Sequence, residues 1–128
     1  MPEQVNAHVL VIDDEESIRR LVAKFLVRQG ADVTEARDGA EAIAILGEQR
    51  FDAIITDLMM PRVDGFGVLA YLSEHDPAML KRTVVITAFP RTAQTKIEHP
   101  CTILSKPFDL ESVADAVREC SGITEARE

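Results

Sequence analysis

Residues 7–16 read Ala7-His8-Val9-Leu10-Val11-Ile12-Asp13-Asp14-Glu15-Glu16, an apolar run that stops abruptly in acid. A short apolar run bounded by charge is the pattern of a strand buried on both faces, as in a parallel sheet. The pattern returns at Phe51-Asp52-Ala53-Ile54-Ile55-Thr56, which again ends in a carboxylate, Asp57. Thr83-Val84-Val85-Ile86 is a β-branched run leading into Thr87, and Cys101-Thr102-Ile103-Leu104 is a weaker one leading into Ser105-Lys106-Pro107. Ala31 to Ala36 alternates like an edge strand.

Helical spacing fills the intervals. Ile18, Leu21, Val22, Phe25 and Leu26 predict an amphipathic helix with Arg19-Arg20 on its solvated side and Gly30 as its stop. Asp38-x-x-Glu41 opens a second helix, Phe66, Leu69 and Leu72 mark a third that breaks at Asp76-Pro77, and Asp109 caps a last one carrying Leu110, Val113, Ala114 and Val117. Phe25, Phe51 and Phe66 are core candidates. Strand and helix alternate about five times, which argues for an α/β domain whose parallel sheet is covered on both faces through right-handed crossovers.

The 128 residues fit one domain, 1–128, with a core over about 8–120 and a frayed tail over about 122–128. That length leaves no room for a second compact domain, so the chain is expected to work through a partner surface. With 46% hydrophobic residues, a chain of this size buries about two thirds of its unfolded surface. The net charge of −8 repels phosphate backbones and anionic lipid, so no direct nucleic-acid contact and no membrane insertion is expected. No basic, apolar leader opens the chain and no apolar run approaches about 18 residues, so a cytoplasmic protein is expected. Cys101 and Cys120 lack disulfide-scaffold or metal spacing and are read as free, buried thiols. His8, His75 and His99 have no mutual spacing of a metal or catalytic pair and are read as surface or partly buried residues.

In open parallel sheets, ligands bind beyond the carboxyl ends of the strands. Asp13, Asp14, Asp57, Thr87 and Lys106 all fall at such ends and are expected to converge. Carboxylates about 5 Å apart repel by roughly 3 kcal/mol per pair at an effective dielectric near 20, so the cluster calls for cations. Hard oxygen donors without imidazole or thiolate favour Mg²⁺. A carboxylate nucleophile, Asp57, with Lys106 and the Thr87 hydroxyl holding phosphoryl oxygens, has the composition needed for phosphoryl transfer through an acyl phosphate.

Val9-Leu10-Val11-Ile12-Asp13-Asp14-Glu15, Asp57-Leu58-Met59-Met60-Pro61-Arg62-Val63-Asp64-Gly65, Thr87-Ala88 and Lys106-Pro107-Phe108 together resemble the receiver domain of two-component response regulators, of the chemotaxis CheY type. The resemblance covers about residues 8–120. It implies a (βα)₅ flavodoxin-like three-layer sandwich with strand order 2-1-3-4-5, and a signalling switch, not an enzyme, that assists its own phosphorylation and dephosphorylation. Its partner would be a sensor histidine kinase or a histidine phosphotransfer protein, reached in part through the helix of Arg19-Arg20. Residue by residue, the resemblance implies Asp57 as phosphoacceptor, Asp14 as direct Mg²⁺ ligand, Asp13 as a ligand through water, and the Met59 carbonyl as a further ligand. Thr87 resembles the switch hydroxyl and Lys106 the phosphoryl-binding lysine, with a cis Lys106-Pro107 bond.

The chain also departs from the pattern. Only 19 positions separate Thr87 from Lys106, and Pro90 and Pro100 bracket the interval, so a shortened fourth helix is expected over Thr92 to Glu98. Ile103 stands where the family places a switching Tyr or Phe, so the response is expected to run through Phe89 to Pro100. Met59 and Phe89 replace polar side chains that orient a hydrolytic water in relatives, which implies a long-lived acyl phosphate. Among rivals, a flavin carrier would need a hydroxyl- and Gly-rich phosphate loop where this chain has Asp13-Asp14-Glu15-Glu16. An aspartyl phosphatase would need an acid at Met59. The remaining alternative is a receiver-like interaction module that is never phosphorylated.

Overall fold

A computed structural model describes residues 7–58, 64–90 and 100–121. Their elements run β1 (His8–Ile12), α1 (Glu16–Arg28), β2 (Asp32–Ala36), α2 (Gly39–Leu46), β3 (Ala53–Asp57), α3 (Gly65–His75), α4 (Pro77–Leu80), β4 (Thr83–Thr87), β5 (Thr102–Ser105) and α5 (Leu110–Ser121). The five strands form one parallel sheet in the order β2-β1-β3-β4-β5. Successive side chains on a strand point to opposite faces, and here both faces are packed. Val9, Val11, Ile55, Val84 and Ile86 meet Val22 and Leu26 of α1 and Val113 and Val117 of α5. Leu10, Ile12, Ile54 and Val85 meet Ala42 of α2 and Val68 and Leu72 of α3. This three-layer arrangement is the one expected from the alternating pattern. Among the described residues no helix is long and apolar enough to cross a membrane.

Local signals account for the element ends. Gly30 takes φ 102° just past α1, a left-handed conformation that costs a side-chain-bearing residue about 1–2 kcal/mol. Asp38 accepts from the Glu41 N–H at 2.8 Å, while Glu41 reaches back to the Arg37 N–H at 2.6 Å, one residue earlier than in a standard capping box. Asp109 accepts from the Ser112 N–H at 2.7 Å, and that hydrogen bond holds its carboxyl below the usual range.

Several expectations need correcting. The buried stripe of α1 is Arg19, Val22, Ala23 and Leu26, so Arg19 is inside at 5% exposure and Leu21 outside at 50%. The apolar stripe keeps its period but is rotated by one residue, because Arg19 is satisfied by the Asp13 carbonyl and by half-exposed Glu35. The break at Asp76-Pro77 also starts a helix: Asp76 accepts from the Met79 N–H at 3.2 Å and opens α4, a turn too short to carry a periodic signal. Cys101 and Cys120 are not free thiols but a disulfide, with Cα atoms 5.8 Å apart. A strand followed by a helix that packs back along it brings the start of β5 beside the last turn of α5, a contact that spacing alone does not reveal. The helix expected over Thr92 to Glu98, His99 and the tail lie outside the described residues. His8 is half-buried, with its Nε2 3.1 Å from Thr34 Oγ1, and His75 is exposed and stacked on Tyr71.

Candidate functional site

Strand register builds the site. Ile12 pairs with Thr56, so the next residues, Asp13 and Asp57, leave neighbouring strands at the same level. Asp57 pairs with Ile86 and Thr87 with Ser105, which brings Thr87 and Lys106 to that same edge. One carboxylate oxygen from each of Asp13, Asp14 and Asp57 lies within 4.8 Å of the others. Asp57 is 6% exposed and Asp13 is also buried, whereas Asp14 is open to solvent. Lys106 Nζ lies 2.7 Å from Asp57 Oδ2, and the Lys106 N–H donates to Thr87 O at 2.8 Å. Asp13, Asp14, Asp57 and Lys106 therefore converge, and the backbone of Thr87 lies at the same edge beside Lys106.

Each side chain is held from behind. Asp13 Oδ1 accepts from the Glu15 N–H at 2.9 Å, and Asp13 O accepts from Arg19 Nη1 at 3.0 Å. Arg19 Nε in turn pairs with Glu35 Oε1 at 2.9 Å. This arginine clamps the end of β1 to β2, a role its sequence position on an apparently solvated face concealed. Its phase with Val22, Ala23 and Leu26 was the available signal. Thr87 Oγ1 accepts from the Phe89 N–H at 3.0 Å, which leaves the hydroxyl proton to be donated. Gly65 closes the loop after β3 with its N–H on Leu58 O at 2.9 Å, and a Cβ there would lie 2.3 Å from Asp57 O. Only glycine fits so close to the backbone of Asp57.

Burial raises the Asp13 pKa to about 6; the Glu15 N–H opposes the shift, and the charges of Asp57 and Asp14 add to it. Burial works against the Lys106 ammonium, but its hydrogen bond to Asp57 and the charges of Asp57, Asp13 and Glu15 outweigh it and hold the pKa above the ordinary lysine value. Among the described residues, the carboxylates offer hard oxygen donors with no imidazole or thiolate beside them, a set that suits Mg²⁺. Met59, whose carbonyl was expected to join them, lies outside the described residues. The Lys106-Pro107 bond is cis, as expected. Ile103 is half-buried on the α2–α3 side of the sheet. Phe89 is 62% exposed.

The model of the response regulator receiver domain matches residues 9–118. The chain belongs to the response regulator receiver domain family. The receiver domain is 27% identical over 118 residues to sporulation initiation phosphotransferase F of Bacillus subtilis, covering 90% of this chain and 94% of that protein. It is 35% identical to the probable transcriptional regulator ycf27 of Porphyridium aerugineum, with 86% of this chain and 46% of that one covered. The chain thus spans nearly all of one curated relative and less than half of the other. Among solved structures, a receiver domain protein from Clostridium thermocellum superposes with TM-score 0.81 at 25% identity, covering 95% of this chain and 99% of that one. The chemotaxis response regulator CheY4 of Vibrio cholerae does so with TM-score 0.79 at 30% identity, over 89% and 98%. The two-component family and the flavodoxin-like fold read from the sequence are thereby established.

Proposed function

We propose that this receiver domain, taking the chain as a single domain over 1–128, accepts a phosphoryl group on Asp57 from a phosphohistidine and thereby switches a partner-binding surface. The donor would be a sensor histidine kinase or a histidine phosphotransfer protein in the cytoplasm. What carries the reading is one arrangement: three carboxylates with oxygens within 4.8 Å, one of them 2.7 Å from a lysine ammonium. Close carboxylates repel one another, and such a cluster is relieved by a divalent cation and a group with oxygens for that cation and the lysine.

In the proposed step, a carboxylate oxygen of Asp57 attacks phosphorus, an O–P bond forms, and the P–N bond to histidine breaks with its electron pair going to nitrogen. Asp13, Asp14 and Asp57, with the Met59 carbonyl, would hold Mg²⁺, which when bound supplies charge neutralisation for the phosphoryl oxygens. Lys106 shifts from the Asp57 carboxylate to a phosphoryl oxygen, and the Thr87 hydroxyl donates to another. Asp57 and Thr87 are both buried at the carboxyl ends of neighbouring strands, which supports their acting on one group. As a switch, the domain carries out this transfer once per signal; it is not a turnover enzyme.

Incubation with a small-molecule phosphodonor and Mg²⁺ tests the proposal. A mass gain of one phosphoryl group, lost in Asp57→Asn and without the metal, is the expected result. No gain in the wild-type chain would overturn it in favour of an unphosphorylated interaction module.

A further inference from the structure

The Cys101–Cys120 bond takes no part in that chemistry, and its two ends differ. Cys120 is 4% exposed and packs in the core with Val84, Val113 and Val117. Cys101 is exposed, just ahead of β5, with its N–H on Thr83 O at 2.8 Å. A thiolate arriving from solvent therefore meets Cys101, and Cys120 is the sulfur that leaves. Stable disulfides belong to oxidising compartments, whereas those of reducing compartments are mostly transient, catalytic or redox-sensing.

The covalent ring closed by this bond spans 19 positions and contains β5, Lys106 and most of α5. Among the described residues strand β5 is the sheet edge, paired with β4, and its side chains are half-buried or exposed. Its start is held by the Cys101 N–H on Thr83 O and by the disulfide. Its end is fixed by the Lys106 N–H on Thr87 O and by the Lys106–Asp57 ion pair. The bond thus sits at the start of the strand that presents Lys106 at its end.

We propose that Cys101–Cys120 is a reversible thiol-exchange site for a dithiol reductant, and that opening it loosens β5 and weakens the grip of Lys106 on the phosphoryl site. A reductant thiolate forms a bond to Cys101 Sγ while the Cys101–Cys120 bond breaks, and Cys120 leaves with the electron pair and takes up a proton. The second thiolate of the reductant then attacks the reductant's own sulfur in the mixed disulfide. That closes the reductant's disulfide and releases Cys101, which is protonated in turn. Two electrons pass from the dithiol to the cystine, and the oxidised dithiol reverses the reaction. The coupling to phosphoryl binding rests on the function proposed above; the exchange and the loosening of β5 do not.

The test uses the full chain in buffers of graded reduced-to-oxidised dithiothreitol. Alkylation and intact mass count the thiols, hydrogen exchange follows residues 102–106, and titration with beryllium fluoride and Mg²⁺ reads phosphoryl-mimic affinity. Reversible opening should speed exchange at β5 by about tenfold or more. Mimic affinity should fall by about fivefold and recover on reoxidation. C101S/C120A should behave as the reduced protein in every buffer, with a Tm lower by about 10 °C. A bond that opens only on global unfolding, or an opened bond with unchanged exchange at β5, would overturn the inference. If the oxidised chain binds no beryllium fluoride, the phosphoryl reading fails by itself, and exchange at β5 still decides the redox one.

Discussion

The two charged halves of the site are mounted very differently. Asp13 and Asp57 leave β1 and β3, strands with neighbours on both sides and side chains almost wholly buried, whereas Lys106 follows β5, an edge strand of half-buried and exposed residues. A site that must gather like charges needs a rigid mount to hold them together, since each close pair opposes the fold. The counter-charge needs no such mount, because the ion pair pulls it in. Asp13 and Asp57 are thus positioned by packing, and the Lys106 ammonium by strand register together with its ion pair, with the disulfide at the far end of β5.

Removing the basic half should have the largest effect. Lys106→Ala is expected to lower the rate of phosphoryl uptake by about 100-fold or more, as for loss of one group that stabilises transferred charge, measured by the time course of mass gain. Retention of wild-type rate would mean that the acid half works alone. Next comes the packing of the acid half. Gly65→Ala forces a Cβ against the Asp57 carbonyl and should cost about 2–3 kcal/mol in denaturant unfolding, with weakened Mg²⁺ binding. Arg19→Met removes the clamp on the Asp13 carbonyl and the pair with half-exposed Glu35. A loss of about 1–2 kcal/mol is expected, and an unchanged unfolding midpoint would return Arg19 to the solvated role the sequence suggested.

The smallest effect sharpens the account of strain. Because the folded Asp13 pKa is raised to about 6 from 3.8, the native state binds more protons than the unfolded chain between those values. Stability should therefore fall, by about 2 kcal/mol at most, as pH rises from about 4 to 6 without metal, with the penalty fully present above 6. Added Mg²⁺ should erase that slope. Its own affinity should drop roughly tenfold per pH unit below 6, as the proton competes for Asp13, which calorimetric titration can follow.

The central strands and their acid termini were legible because burial on both faces leaves an unbroken apolar run, and a run that stops in Asp marks the sheet's carboxyl edge. The same logic placed Thr87 and Lys106 at that edge, and β5 to within one residue. It misread Arg19, because binary patterning assigns any arginine to solvent and cannot see that the Asp13 carbonyl and half-exposed Glu35 on β2 stand ready to pair with it. It missed the disulfide because pairing depends on how far α5 runs back along β5, a tertiary length with no local signal. It missed α4 because four residues hold little more than a turn.

That acids from central strands and a lysine from the edge act on one phosphoryl group is tested most directly by amide and lysine-ammonium spectra of the chain with Mg²⁺, before and after beryllium fluoride is added. The signals of Asp13, Asp57, Thr87 and the Lys106 ammonium should shift together at one saturating concentration. An Asp57 shift with the Lys106 and Thr87 signals unmoved would contradict it.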